Sequence, residues 1–242
     1  MPVPERYSTL MSRYSAFRNR RSLQYRELLR KIRPILDSKR EQDRLRPPNF
    51  NIFFALGHAY REVSTHSALL AHFLDPTAGH AQGTRILRRF LELVQRAADR
   101  QGKDFRLPQV EERNKGYWRC RKEITLENGR IDVLIQGPKQ ILVIENKIYA
   151  SDQPNQLCRY WRYAQNEARI KQLVPVIVYL TPDGRSPTKQ SLGECEDIST
   201  KLVCLSYRED IWRLIHESVN EMPSMSIVTE TLRQYEALLQ RF

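Results

Sequence analysis

Cysteine is scarce: Cys120, Cys158, Cys195 and Cys204 are the four in a chain of 242 residues. None forms a CxxC pair, and the five histidines do not bracket them at zinc-finger spacing, which excludes a zinc finger and leaves four ordinary reduced thiols as the expectation. Long apolar runs are missing as well. No stretch approaches the roughly 18 apolar residues that a membrane span needs. Met1-Pro2-Val3-Pro4-Glu5-Arg6 lacks the apolar core of a secretory signal, so the expected location is cytoplasmic, without membrane. No GxxxxGK[ST] loop is present, which excludes an ATP-driven motor, and no nucleophile-elbow sequence supports Ser/His/Asp hydrolysis. Repeats and low-complexity tracts are absent too. Acidic residues fall short of basic ones, 28 against 40, for a formal charge of +12. That balance favours a polyanionic partner, nucleic acid first, although a merely soluble basic protein would share it.

A chain of this length can bury a sizeable core, and its pattern divides it into a basic helical extension, residues 1–48, and a domain over 49–242. Residues 7–46 place Leu23, Tyr25, Leu28, Leu29, Ile32 and Ile35 among many charges, which predicts an amphipathic helix stopping before Pro47-Pro48 and kinked or divided at Pro34. Its basic face is open to two readings, contact with a phosphate backbone or a solvated face on a packed helix. Residues 49–60, 68–74 and 86–94 have helical spacing; Ser64-Thr65-His66-Ser67 introduces the second of these and Asp75-Pro76 ends it. From residue 117 the period changes to strands at 118–126, 130–136 and 140–148, joined by Glu127-Asn128-Gly129 and Gly137-Pro138-Lys139 as an antiparallel meander. A helix over 153–170, a buried strand at 174–180, a long polar loop at 181–201, a short strand at 202–206 and helices near 208–217 and 226–241 complete the order. The fold class is α/β or α+β, with one mixed sheet flanked by helices.

Two of the predicted strands carry ionisable groups inside apolar runs. In Gly129-Arg130-Ile131-Asp132-Val133-Leu134-Ile135 and Ile141-Leu142-Val143-Ile144-Glu145-Asn146-Lys147, period-2 geometry puts Glu145 and Lys147 on one face. A neighbouring strand lies about 4.8 Å away, so Asp132 can meet Glu145. Two hard-oxygen ligands for Mg²⁺ beside a cation that steers water or phosphate are the parts of phosphodiester hydrolysis.

Asp132, then Glu145-x-Lys147 at the end of an apolar strand, then Gln156-x-x-x-Tyr160 on the following helix, resembles the PD-(D/E)XK nuclease superfamily, in its exonuclease-like branch with a QxxxY motif. Glu62-x-x-x-His66-Ser67-Ala68-Leu69-Leu70-Ala71-x-x-Leu74-Asp75-Pro76 looks like the helical region that precedes the core in a set of bacterial members. The resemblance spans roughly residues 50–181 and implies a restriction-endonuclease-like core. It implies that Asp132 and Glu145 bind Mg²⁺ or Mn²⁺, with the main-chain carbonyl of Asn146 completing the protein side and Glu62 as a further ligand. Lys147 would orient the attacking water or offset charge on the phosphate, and Gln156 and Tyr160 would hold the metal-bound geometry or the DNA. Read from its position alone, Tyr160 is a core aromatic and Glu62 equally a surface glutamate. His66 and Ser67 are read as capping or core residues next to the site. The chain departs from the family pattern in having Arg130-Ile131 where the namesake proline would stand, and Glu-Asn-Lys as its third motif.

The leading reading is thus a metal-dependent nuclease acting on DNA. The alternative is a catalytically inactive nucleic-acid-binding protein on the same fold. An interaction scaffold with an incidental basic surface is the third, and it predicts no salt-sensitive affinity for nucleic acid.

Overall fold

The computed structural model describes residues 3–45, 47, 49–223 and 226–242. The chain forms two compact units, Met1–Phe50 and Asn51–Phe242. In the first, helix α1 (Val3–Leu45) runs without interruption through Pro34. The expected division at that proline does not occur: losing one N–H costs a single backbone bond, and the turns on either side keep the helix continuous.

The second unit is built on one sheet. Among the described residues five strands, β1 (Arg119–Leu126), β2 (Gly129–Gln136), β3 (Gln140–Asn146), β4 (Val174–Thr181) and β5 (Leu202–Ser206), lie in the order β1-β2-β3-β4-β5. The first three are the antiparallel meander read from the turns. Leu126 pairs with Gly129 across the two-residue turn Glu127-Asn128, and Gly129 has a φ of +136°, a conformation that only glycine adopts freely. Helix α5 (Gln156–Lys171) then crosses over so that β4 runs parallel to β3, and β5 parallel to β4. Every residue of β3 is buried, the reason its apolar run is continuous rather than alternating.

Helices cover both faces. On one, Leu70 of α3 (Ala68–Leu74), Leu87, Phe90 and Val94 of α4 (Arg85–Arg100), Leu214 of α7 (Trp212–Asn220) and Leu238 of α8 (Ile227–Leu239) form a core with Val133, Ile135, Leu142 and Ile144. On the other, Leu157, Trp161 and Ala164 of α5 pack with Val143, Ile177 and Tyr179. The parallel strands β3, β4 and β5 end on the same side, the usual place for a site in a sheet of this kind.

Several elements are shorter than their periodicity. Of the helix expected over 49–60 only α2 (Ile52–Ala55) forms, since Gly57 turns the chain at a φ of +66°. The loop expected over 181–201 contains α6 (Lys189–Leu192) and a 3-10 turn at Glu196–Thr200. The helix expected near 208 opens with a π turn, Tyr207–Ile211, capped by the Ser206 side chain, which accepts from Glu209 N and Asp210 N.

The expectation of four free thiols is overturned. Cys158 in the first turn of α5 is disulfide-bonded to Cys195, with Cα atoms 5.5 Å apart and a sequence separation of 37. Spacing along the chain carries no trace of this pair, because the bond depends on the segment after β4 folding back over the start of α5. Asn155 N donates to Gln190 O at 2.8 Å in the same junction. Cys120 and Cys204 remain free thiols, the first buried. Thiol titration in denaturant without reductant should therefore count two reactive groups, rising to four after reduction; four before reduction would contradict the bond.

Candidate active site

The β2–β3 register pairs Val133 with Ile144. Its next step sets Asp132 across from Glu145, as the alternation of the two strands requires. The β1–β2 ladder breaks beside this point: pairing jumps from Lys122↔Val133 to Ile124↔Ile131, and the intervening Glu123 has a φ of +54°. Backbone strain in a non-glycine residue commonly lies next to a site that uses it.

Four charged or amide side chains are sealed at this edge. Asp132 is 8% exposed, Glu145 2%, Lys147 5% and Gln156 5%. Lys147 Nζ lies 3.1 Å from Glu145 Oε1. The same oxygen accepts from Gln156 Nε2 at 2.8 Å. Gln156 Nε2 also reaches the Tyr160 hydroxyl at 3.1 Å, and that hydroxyl donates to Arg130 O at 2.7 Å. Gln156 and Tyr160, four apart on α5, thus act together on Glu145. Tyr160 is at once the core aromatic of its position and a member of the site. Asn146 N donates to Asp132 Oδ2 at 2.9 Å, and its Nδ2 donates to Ser67 Oγ at 3.0 Å.

Burial raises the Asp132 carboxyl to about 6, with the charge of Glu62 adding to the shift; the Asn146 N–H and Lys147 oppose it. Burial, then repulsion from Asp132, raises Glu145 well above the usual carboxylate range, against the pull of Lys147. Two acids whose charged forms are this costly need a compensating cation to ionise together.

Glu62 opens the π turn Glu62–Ser67 before α3. Its Oε2 accepts from Ile148 N and Tyr149 N, both at 2.9 Å, so it clamps the residues that follow Lys147. Its charge acts on both buried acids. His66 lies apart from this group. It is fully buried, bonded to Tyr235 OH and Ala59 O at 3.1 Å each, and burial lowers it to about 4, so it is a neutral core histidine. Ser67 instead supports Asn146.

The donor set fits a hard divalent cation. Glu145 Oε2, Asn146 Oδ1 and Gln156 Oε1 are buried oxygens with no hydrogen-bond partner. Orphan acceptors at that depth are rare and costly. The Asn146 side-chain oxygen is a feature that the motif, which points to the main-chain carbonyl, does not reveal. The carboxylates are not drawn into a cage: among the described residues no three of His, Cys, Asp or Glu converge at metal-binding distance. Mg²⁺ suits such a site, since it takes one or two carboxylates and keeps several waters.

Asp152 and Tyr179 also lie beside this group. Tyr179 is the Cα partner of Glu145 on β4, and Asp152 accepts its hydroxyl at 2.5 Å. No local signal marks either, because one reads as a strand aromatic and the other as a loop acid.

No helix among the described residues is long and apolar enough to cross a membrane. Comparison with curated proteins and with solved structures returned no match. Residues 50–242 match the family model described as the PD-(D/E)XK nuclease superfamily, and with that match over the mixed sheet and its buried Asp132, Glu145 and Lys147, the chain belongs to this superfamily.

Proposed function

We propose that this protein is a metal-dependent nuclease hydrolysing phosphodiester bonds of DNA, with Mg²⁺ or Mn²⁺ held by Asp132 and Glu145. The observation that carries this reading is the sealed Asp132–Glu145–Lys147 group with its unpartnered Glu145 Oε2. A protein that only bound nucleic acid would have no use for two mutually repelling acids at this depth. Glu62 and Asn146 complete the proposed metal set. A bound cation would polarise the phosphoryl oxygen and lower the pKa of a coordinated water.

The side chains divide the remaining work. Gln156 fixes one oxygen of Glu145 and so leaves Oε2 directed at the cation position. Tyr160 sets the Gln156 amide by accepting from it while donating to Arg130 O. Lys147, beside Glu145, offsets negative charge that grows on the phosphate, or orients the water that attacks it. Glu62, by gripping Ile148 N and Tyr149 N, holds the chain that positions Lys147. The test is cleavage of single- and double-stranded DNA and RNA with Mg²⁺ or Mn²⁺ and with chelator. Metal-dependent cutting of DNA is expected, and a preparation that cuts no nucleic acid with either metal would refute the reading.

The basic face of α1 belongs to the same proposal as a contact for the phosphate backbone. Neutralising Arg26, Arg30 and Lys31 together should make the log–log salt dependence of DNA binding shallower, by up to about one ion per lost contact. An unchanged slope would remove α1 from the interface.

A further inference from the structure

Beside the proposed metal centre lies a third acid, its side chain shielded although the residue as a whole is only partly buried, that no step above uses. The Asp152 side chain is 4% exposed. Its Oδ1 accepts the Tyr179 hydroxyl at 2.5 Å and its Oδ2 the Thr188 N–H at 2.8 Å. Burial would raise this carboxyl, but those hydrogen bonds hold it below the usual carboxylate range. Both of its oxygens are thus committed before any cation is counted.

Arg185 completes the group in an unusual way. Its NH1 stands 3.7 Å from Asp152 Oδ2, a long contact, and also reaches Ser186 O at 3.4 Å. Its guanidinium carbon lies 5.7 Å from the centre of the Tyr179 ring. The side chain remains 41% exposed. A half-exposed ion pair of this length adds little to stability. A guanidinium carries five N–H donors, more than the Asp152 and Ser186 contacts use. The arginine is oriented by its neighbours without being consumed by them.

Its position relates it to the reaction centre. Tyr179 is the cross-strand partner of Glu145, on the face of the sheet that α5 covers. One strand spacing of about 4.8 Å separates the two backbones. Arg185 is therefore carried on the segment that follows β4, the strand next to that of Glu145, with its guanidinium against the ring of Tyr179. A planar fork matched to phosphate oxygens, held at the rim of the site by a carboxylate behind it, is how arginine recognises a phosphodiester.

We infer that Arg185 is a phosphate-binding residue that grips a phosphodiester flanking the scissile one, and that Asp152 is the positioning residue that aims it. This rests on the nuclease reading and adds to it a substrate subsite on the segment after β4. Asp152 acts through Tyr179 and Thr188, tying that segment to the strand next to Glu145 and to the loop that follows Lys147.

The test uses the full chain as wild type, Arg185→Ala, Arg185→Gln, Arg185→Lys and Asp152→Asn. Binding to a labelled DNA duplex is measured in chelator over a range of salt, and cleavage is measured with Mg²⁺. Arg185→Ala and Arg185→Gln should weaken binding about tenfold and reduce the salt slope by about one ion, while Arg185→Lys keeps the slope and loses part of the affinity. Asp152→Asn should raise KM more than it lowers kcat, a split that general loosening of the fold would not produce. If the wild type cuts DNA and both neutral variants bind with its affinity and slope, this inference alone falls. If the wild type neither binds nor cuts DNA, the nuclease reading falls and this one with it.

Discussion

Lys147→Ala should slow single-turnover cleavage by at least about 10²- to 10³-fold, while DNA affinity stays within a few-fold of wild type. The size follows from what the lysine meets only in the transition state: removing one preorganised charge that faces growing negative charge costs roughly that factor in a water-poor site. Lys147 is 5% exposed and its Nζ is 3.1 Å from Glu145, so its charge is already desolvated and oriented before substrate arrives. Ground-state binding depends instead on many phosphate contacts spread over a chain of formal charge +12, of which this is one. An interaction present only at the transition state lowers kcat and kcat/KM together and leaves Kd nearly alone. In the metal-free variant Glu145 loses its ion-pair partner but can take up a proton, so the fold is expected to survive. A variant that cuts as fast as wild type would make Lys147 a structural lysine and remove the central residue of the mechanism.

The largest expected effect on stability comes from Asp132→Asn, and its sign is unusual for a site residue. Asp132 in the folded chain ionises at about 6, against 3.8 for an ordinary aspartate. A raised carboxyl holds its proton longer in the folded state than in the unfolded one. Its contribution to stability is therefore complete below about pH 4 and is lost as the pH rises through 6. By pH 7.5 a shift of that size corresponds to roughly 3 kcal/mol, at about 1.4 kcal/mol per unit. Glu145 is displaced in the same direction and adds to the penalty. Asparagine keeps an oxygen for the Asn146 N–H and cannot ionise, so the variant escapes the cost. In chelator at pH 7.5 its Tm should exceed that of wild type by roughly 6–10 °C, and the gap should close near pH 4. Adding Mg²⁺ or Mn²⁺ should raise the Tm of wild type and not that of the variant, since a ligand stabilises only the state that binds it. Equal metal-induced shifts in the two proteins would take Asp132 out of the metal set, and equal Tm values in chelator would show that its charge is not costly.

Much of the fold and the site is legible in the amino-acid sequence. The meander over 118–148 follows from two turn sequences and period-2 patterning, both local, and the register they impose is what brings Asp132 opposite Glu145. Gln156 and Tyr160 need only the four-residue repeat of a helix to share a face, and the structure adds that they reach Glu145 together. Helix limits are less legible. Residues 49–60 have helical spacing yet give only α2, because a glycine at positive φ overrides a pattern that counts side chains and not backbone angles.

By itself, then, the sequence determined the sheet's first three strands, the family, and the residues gathered at the end of β3, since each rests on patterns a few residues long. Only the tertiary structure decided how those residues are used. The Cys158–Cys195 bond, the grip of Glu62 on the chain after Lys147, the unpartnered Asn146 Oδ1, and the Asp152–Tyr179–Arg185 group join positions far apart in the chain. Burial made the final difference. A carboxylate's charge costs little in water and much in a sealed pocket, and which of the two Asp132 and Glu145 occupy depends on how the chain packs around the end of β3, with Gln156 of α5 against Glu145.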